Sequence, residues 1–219
     1  MEQVVVGLDI GTTKTCAVIG FLNENGQIEI AGVGTAPSRG LKNGIIVNID
    51  NTVSSIVKSI EDAELMAGSE VSSVFVGITG QHVKGENSRG VVAVANRNRT
   101  ITPVEIKRVI EAAQAVVIPM DREIIHVLSK EFSVDDQTGI KDPIGMSGVR
   151  LEAEVHIITG ASASIQNLLK SVNKAGFHCA DMIFSPLAAS EATLSRDERD
   201  LGVALVDIGG RYNRRYRVC

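Results

Sequence analysis

Residues 4–14 read Val-Val-Val-Gly-Leu-Asp-Ile-Gly-Thr-Thr-Lys, an apolar run followed by a polar turn. The β-branched residues at its start predict a buried strand. Gly11 has no side chain, so the backbone amides of the turn can approach an anion closely, and the hydroxyls of Thr12 and Thr13 add hydrogen-bond donors. This stretch therefore predicts a phosphate-binding loop at the end of a strand.

Two charged residues flank this loop. Lys14 places a positive charge beside the expected anion, and Asp9, at the end of the strand, is placed to hold a hydrated Mg²⁺ ion. The common phosphate-loop patterns G-x-x-x-x-G-K-[ST] and G-x-G-x-x-G do not occur in the chain. If this stretch is considered alone, the alternative to a phosphate-binding loop is an ordinary turn, in which glycine and threonine serve only the backbone geometry.

A second copy of the pattern lies near the other end of the chain. Residues 203–210 read Val-Ala-Leu-Val-Asp-Ile-Gly-Gly, again an apolar strand that ends in Asp-Ile-Gly. An internal repeat of this kind predicts a duplicated fold with two facing loops. Such a fold would place Asp9 and Asp207 around one metal ion, and the amides of both loops, including Gly209 and Gly210, around the phosphates of a nucleotide.

The composition is that of an ordinary globular protein. The chain has 219 residues, of which 44% are apolar and 22% are charged, and this excludes a disordered chain. The formal net charge of −4 provides no positive field for nucleic acid or anionic lipid. The three cysteines have no C-x-x-C spacing and the N-terminus shows no secretory signal, so we expect a cytoplasmic, reducing compartment.

Strand and helix patterns alternate along the chain, which predicts an α/β fold. Strands are predicted at residues 4–8, 15–22, 28–33, 71–78, 90–95, 123–134 and 149–158, with a glycine-rich loop at 139–148. Helices are predicted after Asp50 or Asn51 as the N-cap, after Thr102 in a capping box, after Ser162 as the N-cap, and from Ser185. Gly68 is predicted to end the first helix, and residues 100–160 form a small insert of their own.

Several longer segments carry a resemblance to a known family. They are residues 7–14, 40–50, 77–82, 87–90 and 202–210. The paired strand-Asp-x-Gly loops resemble those of the actin, Hsp70 and sugar-kinase superfamily, and the five segments together resemble the FtsA family of bacterial cell-division proteins. The resemblance is continuous from Val4 to Gly210 and covers roughly the N-terminal half of what the family has.

This resemblance implies a fold and a function. The fold would be an α/β, actin-like (ribonuclease H-like) first lobe with a small inserted α+β subdomain, and the second lobe would be missing. A member of the family binds ATP with Mg²⁺, polymerises, and ties the tubulin-like FtsZ ring to the cytoplasmic face of the cell membrane at the division site. It is at most a weak ATPase, and we expect this fragment to be inactive, so no catalytic residue is assigned.

The resemblance also divides the chain into parts. The expected parts are residues 1–81 and 161–201 for the two sections of the first lobe, 82–160 for the insert, 202–210 for the first strand of the second lobe, and 211–219 for a basic tail outside the family pattern. The insert would serve polymer contacts and recruit later division proteins. The family's FtsZ-binding lobe and amphipathic membrane helix would lie beyond residue 219, so this chain would not reach the membrane by that helix.

The last nine residues depart from the family. Residues 211–219 read Arg-Tyr-Asn-Arg-Arg-Tyr-Arg-Val-Cys, where the family continues with a further glycine and Thr-Thr-Asp. Codon degeneracy permits a one-base shift after Gly210 that restores Gly-Thr-Thr-Asp, so our hypothesis is that the tail is a frameshift product. An arginine-rich arm for nucleic acid is the alternative. We expect the strand at 202–210 to lack its partners from the second lobe and therefore to be floppy or mispaired.

Other functional classes stay open at this point. The chain is also compatible with the first lobe of an ATP-dependent sugar kinase or of an Hsp70-type ATPase, and with the pilus-assembly relatives of the FtsA family. A kinase needs a catalytic base near its sugar, and the spacing identifies none. The acidic groups at 61–64 and 197–200 are interpreted as solvated surface. The insert that follows Gly80 favours the FtsA family.

Overall fold

A computed structural model describes residues 3–115, 118–209 and 213–218. Its strands are β1 (Gln3–Ile10), β2 (Lys14–Leu22), β3 (Ile28–Pro37), β4 (Leu41–Lys42), β5 (Ile45–Ile46), β6 (Ser73–Ile78), β7 (Lys84–Ala93), β8 (Arg122–Val134), β9 (Gln137–Ile140), β10 (Arg150–Ala161), β11 (His178–Phe184), β12 (Val203–Ile208) and β13 (Asn213–Val218). Its helices are α1 (Ile49–Ala67), α2 (Pro103–Gln114), α3 (Ser162–Lys174), α4 (Ser185–Thr193) and α5 (Arg196–Leu201). The predicted α/β class is confirmed.

The described chain divides into two compact units. Unit 1 comprises residues 1–82 and 162–219, and unit 2 comprises residues 83–161. Unit 1 contains a five-stranded sheet, and unit 2 contains a four-stranded sheet with its own buried core. Over the ranges that the structure describes, no helix has both the length and the apolar character needed to cross a bilayer.

The sheet of unit 1 has the strand order β11-β6-β1-β2-β3. β1 pairs in parallel with β6, and β6 pairs in parallel with β11, so these three strands have their carboxyl ends at the same edge. β1, β2 and β3, which follow one another in the chain, form an antiparallel meander. Leu8, Ile19, Val74 and Val76 are among the fully buried side chains that hold this sheet in its core.

Helix α1 lies directly on strand β3 at two glycines. A Cβ atom built on Gly34 would lie 1.9 Å from the carbonyl oxygen of Ser59, and one built on Gly32 would lie 2.3 Å from the carbonyl oxygen of Ala63. No side chain fits between these two backbones. The buried face of α1 accordingly combines small residues with isoleucines: Thr52, Ser55, Ile56, Ser59, Ile60 and Ala63.

The starts of two helices differ from the sequence prediction. α1 has Asn48 as its N-cap, whose side-chain oxygen accepts a hydrogen bond from the Asn51 N–H at 2.9 Å, so the prediction of Asp50 or Asn51 as the cap is wrong. Asn48 has an extended backbone, whereas Asp50 and Asn51 are already helical. Ser162 is the first residue inside α3 and does not cap it, because β10 runs directly into this helix.

Two other predicted helix ends are confirmed. Gly68 follows α1 with a left-handed backbone, φ 66°, and its N–H donates to the carbonyl oxygen of Glu64 at 2.8 Å. This conformation is easily adopted by glycine, which explains why the helix ends there. At the start of α2, Thr102 and Glu105 form the predicted capping box, in which the Thr102 N–H donates to Glu105 Oε2 at 3.0 Å.

Unit 2 is an antiparallel sheet of order β7-β10-β8-β9 with α2 packed against it. A Cβ atom built on Gly90 would lie 2.3 Å from the carbonyl oxygen of Val109, so α2 approaches β7 as closely as α1 approaches β3. β7 and β10 pair along their length, from Lys84 opposite Thr159 to Ala93 opposite Arg150. The core contains Val94, Ile101, Val109, Ala113, Phe132, Val134, Leu151, Ala153, Val155 and Ile157.

Several strands were shorter or absent in the sequence prediction. β7 begins at Lys84, not at Gly90, because pairing with β10 continues through the polar residues 84–89. β9 occupies part of the predicted glycine-rich loop and pairs with β8. β4, β5 and β11 were not predicted. Strands of two residues have no periodicity to detect, and β11 is partly polar.

The tail of the chain pairs with the strand that precedes it. We expect the strand at 202–210, without its second-lobe partners, to be floppy or mispaired, and β12 pairs antiparallel with β13 of the tail, from Val203 opposite Val218 to Ile208 opposite Asn213. Unpaired backbone N–H and C=O groups are costly, and the tail supplies partners close in sequence. β12 and β13 form a sheet of their own. Residues 210–212 and 219 lie outside the described part of the chain, and the frameshift origin of the tail stays a prediction.

Candidate functional site

A cleft of about 640 Å³ lies in unit 1 where β1, β6 and β11 end. Its lining includes Asp9 near the end of β1, Thr79 after β6 and Ser185 after β11. In α/β folds, ligands bind outside the carboxyl ends of parallel strands, because the loops that follow these strands converge there. This cleft is therefore the candidate functional site.

Backbone hydrogen bonds fix the shape of the loop that follows β1. The N–H of Gly11 donates to the carbonyl oxygen of Lys14 at 3.0 Å, and the N–H of Ser38 donates to that of Thr13 at 3.0 Å. The buried Thr15 hydroxyl is hydrogen-bonded to Ser38 Oγ at 2.9 Å. A Cβ atom on Gly11 would lie 2.9 Å from the Lys14 oxygen, so this tight turn favours glycine.

The side chains of this loop present polar groups to the cleft. Thr12, Thr13 and Lys14 line it, and within the described part of the chain no hydrogen bond or ion pair engages these three side chains. The positive charge of Lys14 acts electrostatically on Asp9 and favours its ionised carboxylate. The loop therefore offers two hydroxyl donors and one ammonium group to an anion.

Asp9 is held between two neighbouring strands and a helix. Its backbone pairs with Cys16 of β2 on one side and with Gly77 of β6 on the other. The hydroxyl of Ser185, the first residue of α4, donates to Asp9 Oδ1 at 3.3 Å. A Cβ atom on Gly77 would lie 3.1 Å from the same Asp9 oxygen and 2.8 Å from Ser185 Oγ, so glycine at position 77 leaves room for this pair.

The surroundings of Asp9 raise its pKa above the ordinary value of 3.8. The largest cause is desolvation: solvent reaches Asp9 through the cleft, but the cleft walls displace much of the water around the carboxyl group. The negative charge of Asp207 raises the pKa further, whereas the hydrogen bond from Ser185 and the charge of Lys14 lower it. Ionising Asp9 therefore costs more in the folded protein than in the unfolded chain, and a cation beside it would oppose that effect.

Replacing Asp9 with asparagine is expected to stabilise the fold at neutral pH. Because the pKa of Asp9 is raised, the folded chain holds this proton more tightly than the unfolded chain, and stability falls as the pH rises from 3.8 through the raised pKa. Asparagine carries no charge and can accept the same hydrogen bond from Ser185. The midpoint of thermal unfolding should be higher for Asp9→Asn than for wild type at neutral pH, and the difference should narrow towards acid pH.

Glu24→Gln is the matched control for this comparison. Glu24 is exposed between β2 and β3 of the same unit, and the change again converts a carboxylate to an amide. We expect it to leave stability within about 0.5 kcal/mol of wild type. A wild type as stable as Asp9→Asn at neutral pH would show that the cleft does not penalise the ionised carboxylate.

The second predicted loop contributes to the same cleft. Asp207, Ile208 and Gly209 line it, at the end of strand β12. Gly210, which the sequence also suggested, lies outside the described residues. The structure thus places the following predicted site residues in one cleft: Asp9, Gly11, Thr12, Thr13, Lys14, Asp207 and Gly209.

The donor groups of the cleft suit a magnesium ion that keeps most of its water. In the described ranges, no three His, Cys, Asp or Glu side chains are grouped closely enough to hold a metal by themselves. Proteins usually bind Mg²⁺ through one or two carboxylates together with the phosphates of a substrate, and several water ligands stay in place. Asp9 and Asp207 supply two such carboxylates to the cleft.

Sequence reasoning missed several residues that line the cleft: Asn43, Gly44, Thr79, Gly80 and Ser185. Asn43-Gly44 is a dipeptide typical of a two-residue hairpin turn, and it was available in the sequence as a signal. Ser185 gave no such signal, because its role depends on contact with Asp9, 176 positions away in the chain.

Comparisons of the sequence with known proteins identify its relatives. Residues 80–159 match the profile of the SHS2 domain inserted in FTSA. The cell division protein FtsA of Borreliella burgdorferi is 52% identical over 208 residues, and that of Pseudomonas aeruginosa is 49% identical over 208 residues. Each alignment covers 95% of this chain, but only 50% and 49% of the respective relative. The chain thus spans about half the length of these curated relatives.

A solved structure shares the fold. The PilM-PilN type IV pilus biogenesis complex aligns with a TM-score of 0.63 over 98% of this chain and 61% of that chain, at 14% sequence identity. A likeness at this level of identity establishes an actin-like fold and nothing further. The identity to FtsA sequences is much higher, and the SHS2 match lies within the same span. Over 95% of its length, the chain is similar to the N-terminal portion of FtsA cell-division proteins.

Proposed function

We propose that this chain binds ATP with Mg²⁺ through the phosphates and forms the nucleotide-dependent first lobe of a bacterial division scaffold. One observation carries the proposal: Asp9, the loop at residues 11–14 and Asp207 converge on one cleft at the carboxyl ends of three parallel strands. The chain in which they converge is 52% identical to a cell division protein FtsA.

Each group of the cleft has a distinct role in this proposal. Lys14 and the hydroxyls of Thr12 and Thr13 hold phosphate oxygens, because ammonium and hydroxyl groups are strong donors to anions. Asp9 and Asp207 hold a hydrated Mg²⁺ ion, which when bound neutralises the charge of the phosphates. Ser185 orients the Asp9 carboxylate through its hydrogen bond. We assign no catalytic residue.

The wider function is proposed from the family. We propose that the whole protein assembles with itself and tethers the FtsZ ring to the cytoplasmic face of the membrane at the division site. Unit 2, which contains most of the SHS2 match, would serve polymer contacts and recruit later division proteins. We propose no nucleic-acid partner, since the net charge of −4 gives no general attraction to phosphate backbones.

ATP with Mg²⁺ is expected to bind weakly to this chain, in the millimolar rather than the micromolar range. The contacts proposed above are all to the phosphates and the metal, so the proposal assigns no binding free energy to the adenosine. The binding can be followed by NMR titration of the amide signals of Gly11, Thr12 and Thr13. Chelation of Mg²⁺ should remove most of the change in these signals.

Three outcomes of this titration have clear meanings. Magnesium-dependent shifts confined to the cleft support the proposed nucleotide site. The absence of any shift in these amides at saturating ATP would refute it. Micromolar affinity would support the site but would contradict the expected weakness.

A further inference from the structure

A short hairpin forms one wall of the candidate cleft. β4 and β5 pair antiparallel, and Asn43 and Gly44 connect them with φ values of 54° and 75°. Positive φ at both central residues is typical of a type I′ turn, for which Asn-Gly is a favoured sequence. Both turn residues line the cleft.

The base of this hairpin is fixed to the rest of unit 1. The N–H of Val47 donates to the carbonyl oxygen of Gly40 at 2.8 Å, which closes the hairpin behind its tip. The N–H of Arg39 donates to Ser55 Oγ on α1 at 3.1 Å. The hairpin is therefore anchored to a packed helix, and the position of its tip is defined by the fold.

The tip of the hairpin contacts the turn that follows β6. A Cβ atom on Gly44 would lie 3.2 Å from the Cα of Gly80 and 3.5 Å from the carbonyl oxygen of Thr79. Gly80 also has a positive φ, 143°. Asn43, Gly44 and Gly80 thus place three positive-φ residues on one wall of the cleft.

Two side chains on this wall have polar groups that the fold does not use. Asn43 is exposed and Thr79 is partly buried, and no hydrogen bond within the described residues engages either side chain. Turn geometry explains why asparagine is tolerated at position 43, but it leaves the amide group without a role. Both side chains line the same cleft as Lys14.

The position of Thr79 relative to Asp9 indicates which part of a ligand would reach this wall. Asp9, whose carboxylate we assign to the metal, lies opposite Gly77 in the sheet. Thr79 follows Gly77 by two residues, just beyond the end of β6. In phosphoryl-binding sites the metal ion bridges the oxygens of the last two phosphates of a triphosphate. A triphosphate whose metal-bound end lies at Asp9 would bring its terminal phosphate to the side of the cleft formed by Thr79 and the hairpin.

We propose that Asn43 and Thr79 contact the terminal phosphate of a nucleoside triphosphate and make the site prefer triphosphate over diphosphate. The Asn43 amide and the Thr79 hydroxyl donate to oxygens that a diphosphate lacks. This inference rests on the proposed nucleotide function of the same cleft. It assigns Asn43, at the tip of the hairpin, a direct role in distinguishing the two states of the nucleotide.

The test compares ATP and ADP, each with Mg²⁺, on the full chain and on four variants. Asn43→Gly keeps the positive-φ turn and removes the side-chain amide, and Asn43→Asp replaces the amide donor with a negative charge. Thr79→Val removes the hydroxyl and keeps a side chain of similar shape. We expect the ratio of ATP to ADP affinity to fall about two- to tenfold in Asn43→Gly and Thr79→Val, and further in Asn43→Asp. Asn25→Asp alters another Asn-Gly turn away from the cleft and should change neither affinity.

A Lys14→Ala variant separates this inference from the proposed function. Suppose that wild type binds both nucleotides and Lys14→Ala binds neither. If the Asn43 and Thr79 variants then keep the wild-type ratio of ATP to ADP affinity, the role of Asn43 and Thr79 is overturned and the nucleotide site stands. If wild type binds neither nucleotide, both proposals fail. A lowered ratio with unchanged ADP affinity supports the role of the hairpin, and circular dichroism of each variant shows whether the fold is retained.

Discussion

Lys14→Ala is expected to remove nearly all affinity of the cleft for ATP with Mg²⁺. Lys14 is exposed in the cleft and forms no ion pair within the described residues, so its ammonium group is available to a phosphate. Hydrogen bonds to charged groups contribute about 1.5–3 kcal/mol, which corresponds to a loss of roughly 10- to 150-fold. For a ligand that already binds weakly, NMR titration should no longer approach saturation.

Lys170→Ala provides the control for this measurement. Lys170 is an exposed lysine on α3 of the same unit, and no ion pair engages it in the described ranges. Its removal changes the net charge as Lys14→Ala does but leaves the cleft intact, so we expect wild-type binding. Equal losses in the two variants would mean that the chain attracts ATP only through its overall charge. If Lys14→Ala bound ATP with the affinity of wild type, Lys14 would not be part of the binding site.

Gly34→Ala is expected to destabilise unit 1 strongly or prevent its folding. The added Cβ atom would lie 1.9 Å from the carbonyl oxygen of Ser59 and 2.6 Å from the Ala63 nitrogen, and both are backbone atoms of α1. Neither can move aside as a flexible side chain would, so the whole helix has to shift away from β3. Overpacking of a core costs about 1–3 kcal/mol and sometimes more, and we expect at least the upper end of this range.

Gly7→Ala is the matched change in the same sheet. A Cβ atom on Gly7 would meet no atom within 4 Å, so the same substitution lacks the steric conflict. We expect its free energy of unfolding, measured by urea denaturation, to stay within about 0.5 kcal/mol of wild type. If Gly34→Ala unfolded at the same urea concentration as Gly7→Ala, α1 would not pack on β3 as closely as described above.

The parts of the site that are contiguous in sequence could be predicted from sequence. Asp9 and the loop at 11–14 follow one apolar strand, and local strand and turn chemistry suffices to place them together. Thr79 and Ser185 follow other strands, and they line the same cleft as Asp9 because β6 lies between β1 and β11 in the sheet. Strand order depends on long-range pairing, which a single sequence does not display.

The helix that covers the first sheet shows a similar limit. The spacing of Ile56 and Ile60 predicts their burial, and both are fully buried. Ser55 and Ser59 are also buried, although hydroxyl side chains give no hydrophobic signal. Ser59 is buried because Gly34 across the contact admits the helix backbone, and the Ser55 hydroxyl donates to the Pro37 carbonyl oxygen at 3.0 Å. Such complementarity between two elements appears only when both are placed.

The pairing of β7 with β10 has a consequence for how this architecture can change over evolution. Lys84 and Thr159, at the two ends of unit 2, are direct partners in an antiparallel pair, and such residues lie about 5 Å apart. A segment whose two ends meet can be gained, lost or exchanged in one genetic event, because a short connection closes the gap that it leaves. Evolution can therefore exchange unit 2 for another module while unit 1, which contains the candidate cleft, is inherited unchanged.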